Sequence, residues 1–281
     1  MSPPGPLSIR RGRLDLHLHS NRSDGRHEPR FVLQTCAAAG VTLAALTDHD
    51  LPPALDGGAY TFGERSIIHL EAAEVSGAWA GRELHLLVYF PAKMPEDYRE
   101  LLRGRARFRA RRWDNFRAAA GLEARLPPAP EEALAGRLAL TRHHLARALL
   151  DAEVVSRWQE AFDGPLNPSS GLLLPLDLSF PEAIAGARAA GAVCSWAHPE
   201  LDDARAWAGT FAGMGLQGLE SGRPGIGRLM REELGRVAHK HRLFLTGGTD
   251  WHGWSGERPS FSFPMREGHA FVGALGLPTG P

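Results

Sequence analysis

The sequence predicts an α/β fold, a barrel in which strands alternate with helices. Three observations predict it. Short apolar runs with strand character alternate along the chain with segments of helical periodicity. Several of those runs end in polar, metal-competent residues, and sites in parallel α/β folds gather at the C-terminal ends of strands. The chain of 281 residues, 43% hydrophobic and 23% charged, can bury a large core.

Each element has its own grounds. Residues 1–12 are Pro-rich and read as a disordered lead. Arg13 to Ser20 alternates apolar and polar residues, the period of a strand, so His17 and His19 point to one face. Ser23-Asp24-Gly25 reads as a turn. Pro29 to Gly40 reads as a helix, with Pro29 near its start and Gly40 as its stop. Val41 to Leu46 is a second strand delivering Thr47-Asp48-His49-Asp50. Ser66 to Val75 and Glu83 to Phe90 are further strands, carrying Glu74 and His85.

Residues 95–171 differ in character. Tyr98 to Leu122 is helical and basic, Pro127, Pro128 and Pro130 break it, and Glu131 to Gln159 is helical again. This segment reads as a helical insertion, with 13–94 and 172–281 as one discontinuous barrel domain. The arginines between Arg103 and Arg112 go round every side of their helix, so most are expected in solvent. After Pro175 the alternation resumes. Helix Pro181–Ala190 precedes strand Ala192–Trp196, which ends at Ala197-His198-Pro199. Helix Asp203–Met214 precedes strand Leu216–Leu219, ending at Glu220. Helix Gly227–His241 precedes strand Leu243–Thr246, ending at Asp250-Trp251-His252.

Composition excludes several function classes. Formal net charge is zero, so no global basic excess favours tight duplex binding. No run approaches the roughly 18 apolar residues of a membrane span, and the lead has no apolar core of a signal peptide. Cys36 and Cys194 sit in apolar runs and read as buried small side chains. A cytoplasmic, reducing location is expected. There is no G-x-S-x-G elbow and no Walker A loop. The oligomeric state is open.

Thirteen histidines and several acids carry the chemistry. Imidazole and carboxylate without sulfur suit catalytic zinc, manganese or iron rather than a structural zinc site. Close cations need a shared carboxylate, and Glu74 is placed to be one. Asp24 is also a natural Asx-turn acceptor, and His49 and His85 also fit as hydrogen-bonded strand histidines. Of His143 and His144 only one need point inward. Arg142 suits a phosphate. His198 suits a ligand, a phosphate contact or a general acid. His27, His69, His239, His241 and His269 read as surface or packing residues.

The ordered set HxH at 17–19, SDG at 23–25, TDHD at 47–50, RxHxA at 142–146, AHP at 197–199 and GTDxH at 248–252 resembles the PHP family, the polymerase and histidinol phosphatase superfamily. The resemblance runs from about Arg13 to His252. It implies a distorted (β/α)7 barrel with two or three divalent metals at its strand ends. It implies that His17, His19, Glu74 and Asp250 hold the first metal, that Glu74 bridges to a second completed by His85 and His144, and that Asp24, His49 and His252 hold a third. Arg142 would contact phosphate, and His198 would lie near it or donate a proton.

The insertion followed by RxHxA looks most like the branch acting on nucleotides. That implies metal-assisted hydrolysis of a terminal phosphate, for example from a 3′,5′-nucleoside bisphosphate. The alternatives are a 5′-3′ exonuclease on short single-stranded RNA or DNA, and a non-catalytic metal-binding domain. The chain departs from the pattern at Leu70-Glu71-Ala72-Ala73 before Glu74, at His143, and at Glu200-Leu201-Asp202-Asp203 after the AHP motif.

Overall fold

The alternation at the start of the chain becomes β1 (Arg13–Leu18), in which Leu14, Leu16 and Leu18 are fully buried. The computed structural model describes residues 12–254 and 263–277. The expected lead therefore lies outside the described residues, except for Gly12. Helix α1 (Pro29–Ala38), begun by Pro29, buries Val32, Leu33 and Cys36 against β1 and β2 (Leu43–Leu46). Next come β3 (Gly58–Phe62), the long β4 (Arg65–Trp79) and β5 (Arg82–Phe90). Helices α2 (Glu96–Ala119), α3 (Glu131–Leu134), α4 (Arg142–Asp151) and α5 (Trp158–Asp163) follow. The chain then alternates regularly: α6 (Phe180–Ala189), β6 (Val193–Trp196), α7 (Leu201–Gly213), β7 (Gly218–Gly222), α8 (Arg228–Lys240) and β8 (Phe244–Gly247). The short β9 (Phe263–Pro264) leads into α9 (Met265–Ala274).

The strands form one sheet in the order β8-β7-β6-β5-β4-β2-β1-β9, with β3 hydrogen-bonded to β4. The sheet nearly closes into a barrel, because the chain after β8 returns to β1. Asp250 N–H donates to the His17 carbonyl at 2.8 Å, and Leu18 bridges to Trp251. One apolar core packs β4–β8 against α2, α6, α7 and α8, with Phe180, Trp196 and Phe211 at its centre. A second joins Leu14, Leu43, Leu70 and Tyr89 to Phe271 of α9. A third belongs to the helical segment, gathering Phe116, Leu145, Leu149, Ala161 and Leu166. Among the described residues no helix is long and apolar enough to cross a membrane.

Alternating strands and helices suggest a parallel barrel, but the sheet is mixed. β5 runs antiparallel to both β4 and β6, while β1–β2, β2–β4, β6–β7 and β7–β8 are parallel. The cause is local. Ala80 and Gly81, at φ 48° and 75°, make a two-residue loop between β4 and β5. Two positive φ values in succession are the type I′ turn, whose twist matches a hairpin, and a parallel crossover needs about a dozen residues or more.

The helix expected over 131–159 is three helices, interrupted at Gly136 (φ 72°) and Glu153 (φ 54°). Half of the arginine run between Arg103 and Arg112 is also out of solvent. Arg105, Arg109 and Arg112 are buried, as is Arg99 before them. Asp50 lies between two of them, 3.3 Å from Arg105 Nε and 2.7 Å from Arg109 Nε, and both guanidinium groups also donate to Ser76. Arg99 pairs with Glu71 at 2.6 Å, and Arg112 donates to the Leu174 carbonyl. These pairs fasten α2 to the barrel.

Candidate metal centre

Five segments bring their polar ends to one place. The end of β1 supplies His17 and His19, and the following turn supplies Asp24. That turn is pinned by Asp48, which accepts from Ser20 N–H at 2.8 Å, Ser20 Oγ at 2.6 Å and Ser23 Oγ at 2.7 Å. Gly25 is required there, since a Cβ would lie 2.6 Å from the His19 carbonyl oxygen. The segment after β2 supplies His49, which bridges to Glu74 of β4. β5 supplies His85, near its start because the strand runs the other way. The loop after β8 supplies Asp250 and His252, and passes so close to β1 that a Cβ on Gly248 would lie 2.5 Å from His17. Asp15 holds this loop by accepting from Thr249 N–H and Oγ1, both at 2.8 Å.

The donor atoms form overlapping groups. His17 Nε2 and His19 Nε2 lie 3.2 and 3.3 Å from Glu74 Oε2, and 3.4 and 3.2 Å from Asp250 Oδ1. On the other oxygen of Glu74, His85 Nδ1 lies at 2.9 Å and His198 Nε2 at 3.2 Å. Asp24 has His252 Nε2 at 3.2 Å, His143 Nδ1 at 3.5 Å and His49 Nε2 at 3.6 Å, and His49 Nδ1 is 3.1 Å from Glu74. With metal–ligand bonds of about 2.1 Å, the edges of a tetrahedron or octahedron are about 3.0–3.4 Å, the spacing seen here.

Most of these atoms are close without being hydrogen-bonded, His198 Nε2 to Glu74 being an exception. His17 Nε2, His19 Nε2, Asp24 Oδ1, His49 Nδ1, Glu74 Oε2 and His252 Nε2 are buried and lack a hydrogen-bond partner among the described residues. Outside this cluster, among the described residues, only His69 Nε2 and Trp79 Nε1 share that condition. Buried polar atoms without partners are costly, so a cluster of them aimed inward fits a bound cation.

The outer nitrogens set the tautomers. His17 Nδ1 donates to Glu220 at 3.1 Å and His252 Nδ1 to the Asp250 carbonyl at 2.8 Å. Each leaves its Nε2 lone pair facing the cluster, as metal-bound histidines require.

Charge tells the same story. Burial alone would raise the Glu74 carboxyl, yet His17, His49 and His85 around it hold it well below its usual range. Burial disfavours charge on His17, yet Glu74, Asp250 and Glu220 push it well above the ordinary value. In the same way Asp250 and Glu74 push His19 up to about 10, and Glu74 and Glu83 push His85 up to about 9, against burial. His49 is pushed down by burial to about 3, despite Glu74 and Asp24. Buried carboxylates in this number call for positive charge, from protons or from cations.

The cluster forms the floor of a cleft of about 210 Å³, also lined by Glu83, Arg109, Arg142, His143 and Phe162. Arg142 Nε is 3.8 Å from the partly buried Glu83, which in turn lies 3.5 Å from His85 Nε2.

His17, His19, Asp24, His49, Glu74, His85, Asp250 and His252 are thus brought together. His144 is not. At the third position of α4 its Nδ1 accepts from Thr141 N–H at 3.1 Å, a reciprocal helix cap. Its neighbour His143 faces the cleft, and His198 takes the place beside His85 expected of His144. Glu220, Glu83 and Asp48 were given no role in the sequence. The usable signal was an acid closing an apolar strand at Glu220, the same signal that marks Asp250.

No protein-family model matches the chain. A 3′,5′-nucleoside bisphosphate phosphatase of Chromobacterium violaceum is 30% identical over 257 residues, covering 85% of this chain and 87% of that one. A 5′-3′ exoribonuclease of Haemophilus influenzae is 29% identical over 263 residues, covering 85% of this chain and 91% of that one. In fold, a crystal structure described as a metal-dependent phosphoesterase of Bifidobacterium adolescentis superposes with a TM-score of 0.70 at 22% identity, over 97% of this chain and 98% of that one. With a relative this similar over most of its length and the motif residues gathered in one cleft, the chain belongs to the PHP superfamily of metal-dependent phosphoesterases.

Proposed function

We propose that the protein removes a terminal phosphate from a small nucleotide, a 3′,5′-nucleoside bisphosphate or close analogue. The observation that carries this is the floor of unpartnered histidine and carboxylate atoms beneath a cleft whose wall holds Arg142. The names of the Chromobacterium and Haemophilus relatives support a nucleotide rather than another phosphoester.

In this reading two or three divalent cations, manganese, iron or zinc, are held by the gathered residues. His17, His19, Glu74 and Asp250 hold the first, and Glu74 and His85 the second. Asp24, His49 and His252 hold the third. Such cations polarise phosphoryl oxygens and make water nucleophilic at neutral pH. Arg142 donates its guanidinium N–H groups to the phosphoryl oxygens and offsets the charge that grows on them. Glu83 limits where that side chain swings. Glu74 keeps the floor anionic and orders the imidazoles around it. His198 donates a proton from Nε2 to the departing sugar oxygen.

Residues 95–171 act as a specificity subdomain over the cleft. The buried, free Cys36 and Cys194 agree with a cytoplasmic protein. One observation favours exonuclease action as a second reading: Trp158 at the cleft edge is 41% exposed, which leaves an exit for a longer strand.

Phosphate release by manganese-loaded protein tests this against adenosine 3′,5′-bisphosphate, AMP, histidinol phosphate and a 5′-phosphorylated dinucleotide. Fast turnover of the bisphosphate is expected. Preference for the dinucleotide selects the exonuclease reading, and preference for histidinol phosphate overturns both. His198→Asn separates two roles. Lost turnover with metal content unchanged is expected, and lost metal makes His198 a ligand.

A further inference from the structure

The cleft is smaller than a pocket that encloses a whole small ligand. Pockets that enclose ligands of that size run to about 300–1,000 Å³, and this one is about 210 Å³. With a phosphate on the floor and a pentose above it, a base has to lie at the rim. The rim on the side of α4 and α5 is aromatic. The His143 ring stands 5.9 Å from His252 at the floor and 5.5 Å from Trp158, and Trp158 stands 5.7 Å from Phe162, which lines the cleft.

Packing does not account for Trp158. Ala161 and Phe162 of α5 join the core of the helical segment, whereas Trp158 belongs to none of the apolar cores formed by the described residues. It begins α5 and is 41% exposed. An indole held at a cleft edge by two other rings, with much of its surface in solvent, offers a flat partner.

We infer that Trp158, with Phe162 and His143 behind it, is a stacking shelf for the base of the nucleotide whose phosphate lies at the metal centre. This rests on the nucleotide reading above and adds its specificity element. Stacking uses the face that every base has. The shelf therefore selects for the presence of a base more than for its identity, and it favours purines, which have the larger face.

The test uses the full-length manganese-loaded protein with Trp158→Ala and Trp158→Phe. Stacking on one aromatic ring is worth enough that Trp158→Ala is expected to raise KM for adenosine 3′,5′-bisphosphate about tenfold or more. The change in kcat is expected to be small, and Trp158→Phe is expected to recover most of the loss. Independently of turnover, AMP is expected to quench the tryptophan fluorescence of the wild type while ribose 5-phosphate does not. That quench is expected to vanish in Trp158→Phe.

An unchanged KM in Trp158→Ala, with the bisphosphate turned over, overturns the shelf and leaves the nucleotide reading standing. Equal quenching by AMP and ribose 5-phosphate, or none by either, overturns it as well. Quenching by AMP through Trp158 in a protein that releases no phosphate from nucleotides keeps the shelf and removes the reading beneath it.

Discussion

Glu220 serves two residues at once. One carboxylate oxygen accepts from His17 Nδ1 at 3.1 Å, and the other accepts from the His198 backbone N–H at 2.7 Å. His198 needs that anchor, because its φ of 32° lies where only glycine is at ease. Asp250, at φ 53°, is a second strained residue in the cluster. Glu220→Gln keeps the size but puts an amide where two donors need acceptors. Losing such an outer partner typically weakens metal binding about 10–100-fold. A manganese titration of the metal-free variant by calorimetry should show that loss, with the far-UV spectrum unchanged. Wild-type affinity would mean that Glu220 serves only the backbone. Residues like this are hard to read in sequence, because an acid that orients a ligand looks the same there as an acid in solvent.

At the scale of elements, legibility followed local chemistry. His17 and His19 were readable because a strand puts alternate residues on one face. The fold of β4 and β5 was readable only in part. Both strands are legible in their apolar runs, but Ala80-Gly81 lacks the Asn-Gly or Asp-Gly signature of a type I′ turn, so their antiparallel pairing is not. The few residues between them were the available clue. The burial of the α2 arginines is not legible for a different reason: their partners Asp50 and Ser76 are distant in sequence. Asp50 is fully buried between Arg105 and Arg109, which keep its carboxyl below the ordinary value against the effect of burial. Asp50→Ala would leave two buried guanidinium groups unpaired, a loss of about 3–5 kcal/mol. Urea unfolding should show a lower midpoint with a similar slope, and an unchanged midpoint would mean that water reaches these arginines.

β4 carries a second buried polar group with a defined pH effect. His69 is 1% exposed, its Nδ1 donates to the Asp56 carbonyl at 3.1 Å, and burial lowers its pKa. In the unfolded chain it titrates near 6.5. Below that value the unfolded state gains a proton that the folded state resists, so stability falls as pH drops from about 6.5 toward the lowered folded value. Above it neither state is protonated and the effect vanishes. His69→Gln keeps a donor for Asp56 and removes the titration. Its stability should therefore decline less than the wild type's between pH 7.5 and 5.5, with the two alike in slope above pH 7. Equal acid declines would place the sensitivity elsewhere.

For the whole molecule, the metal centre is also where the barrel closes. His17 belongs to the first strand, His19 directly follows it, and Asp250 and His252 lie in the loop after β8, while Glu74 and His85 come from the middle of the sheet. A cation shared by these groups would tie β1 to the loop after β8 across the seam, where backbone hydrogen bonds include Asp250 N–H to the His17 carbonyl. Without a cation, buried Asp24 and Glu74, and the partly buried Asp250, lean on protonated imidazoles instead. Binding to the folded state alone stabilises it in proportion to the logarithm of cation concentration over the dissociation constant, about 2.7 kcal/mol at a hundredfold excess. Chelator treatment should therefore lower Tm by several degrees, and manganese should restore it. Hydrogen exchange should rise chiefly in residues 17–25 and 248–252, while β6 and α7 stay protected. Uniform loss of protection would mean that the metals hold the entire fold, and unchanged exchange at 248–252 would mean that the seam closes without them.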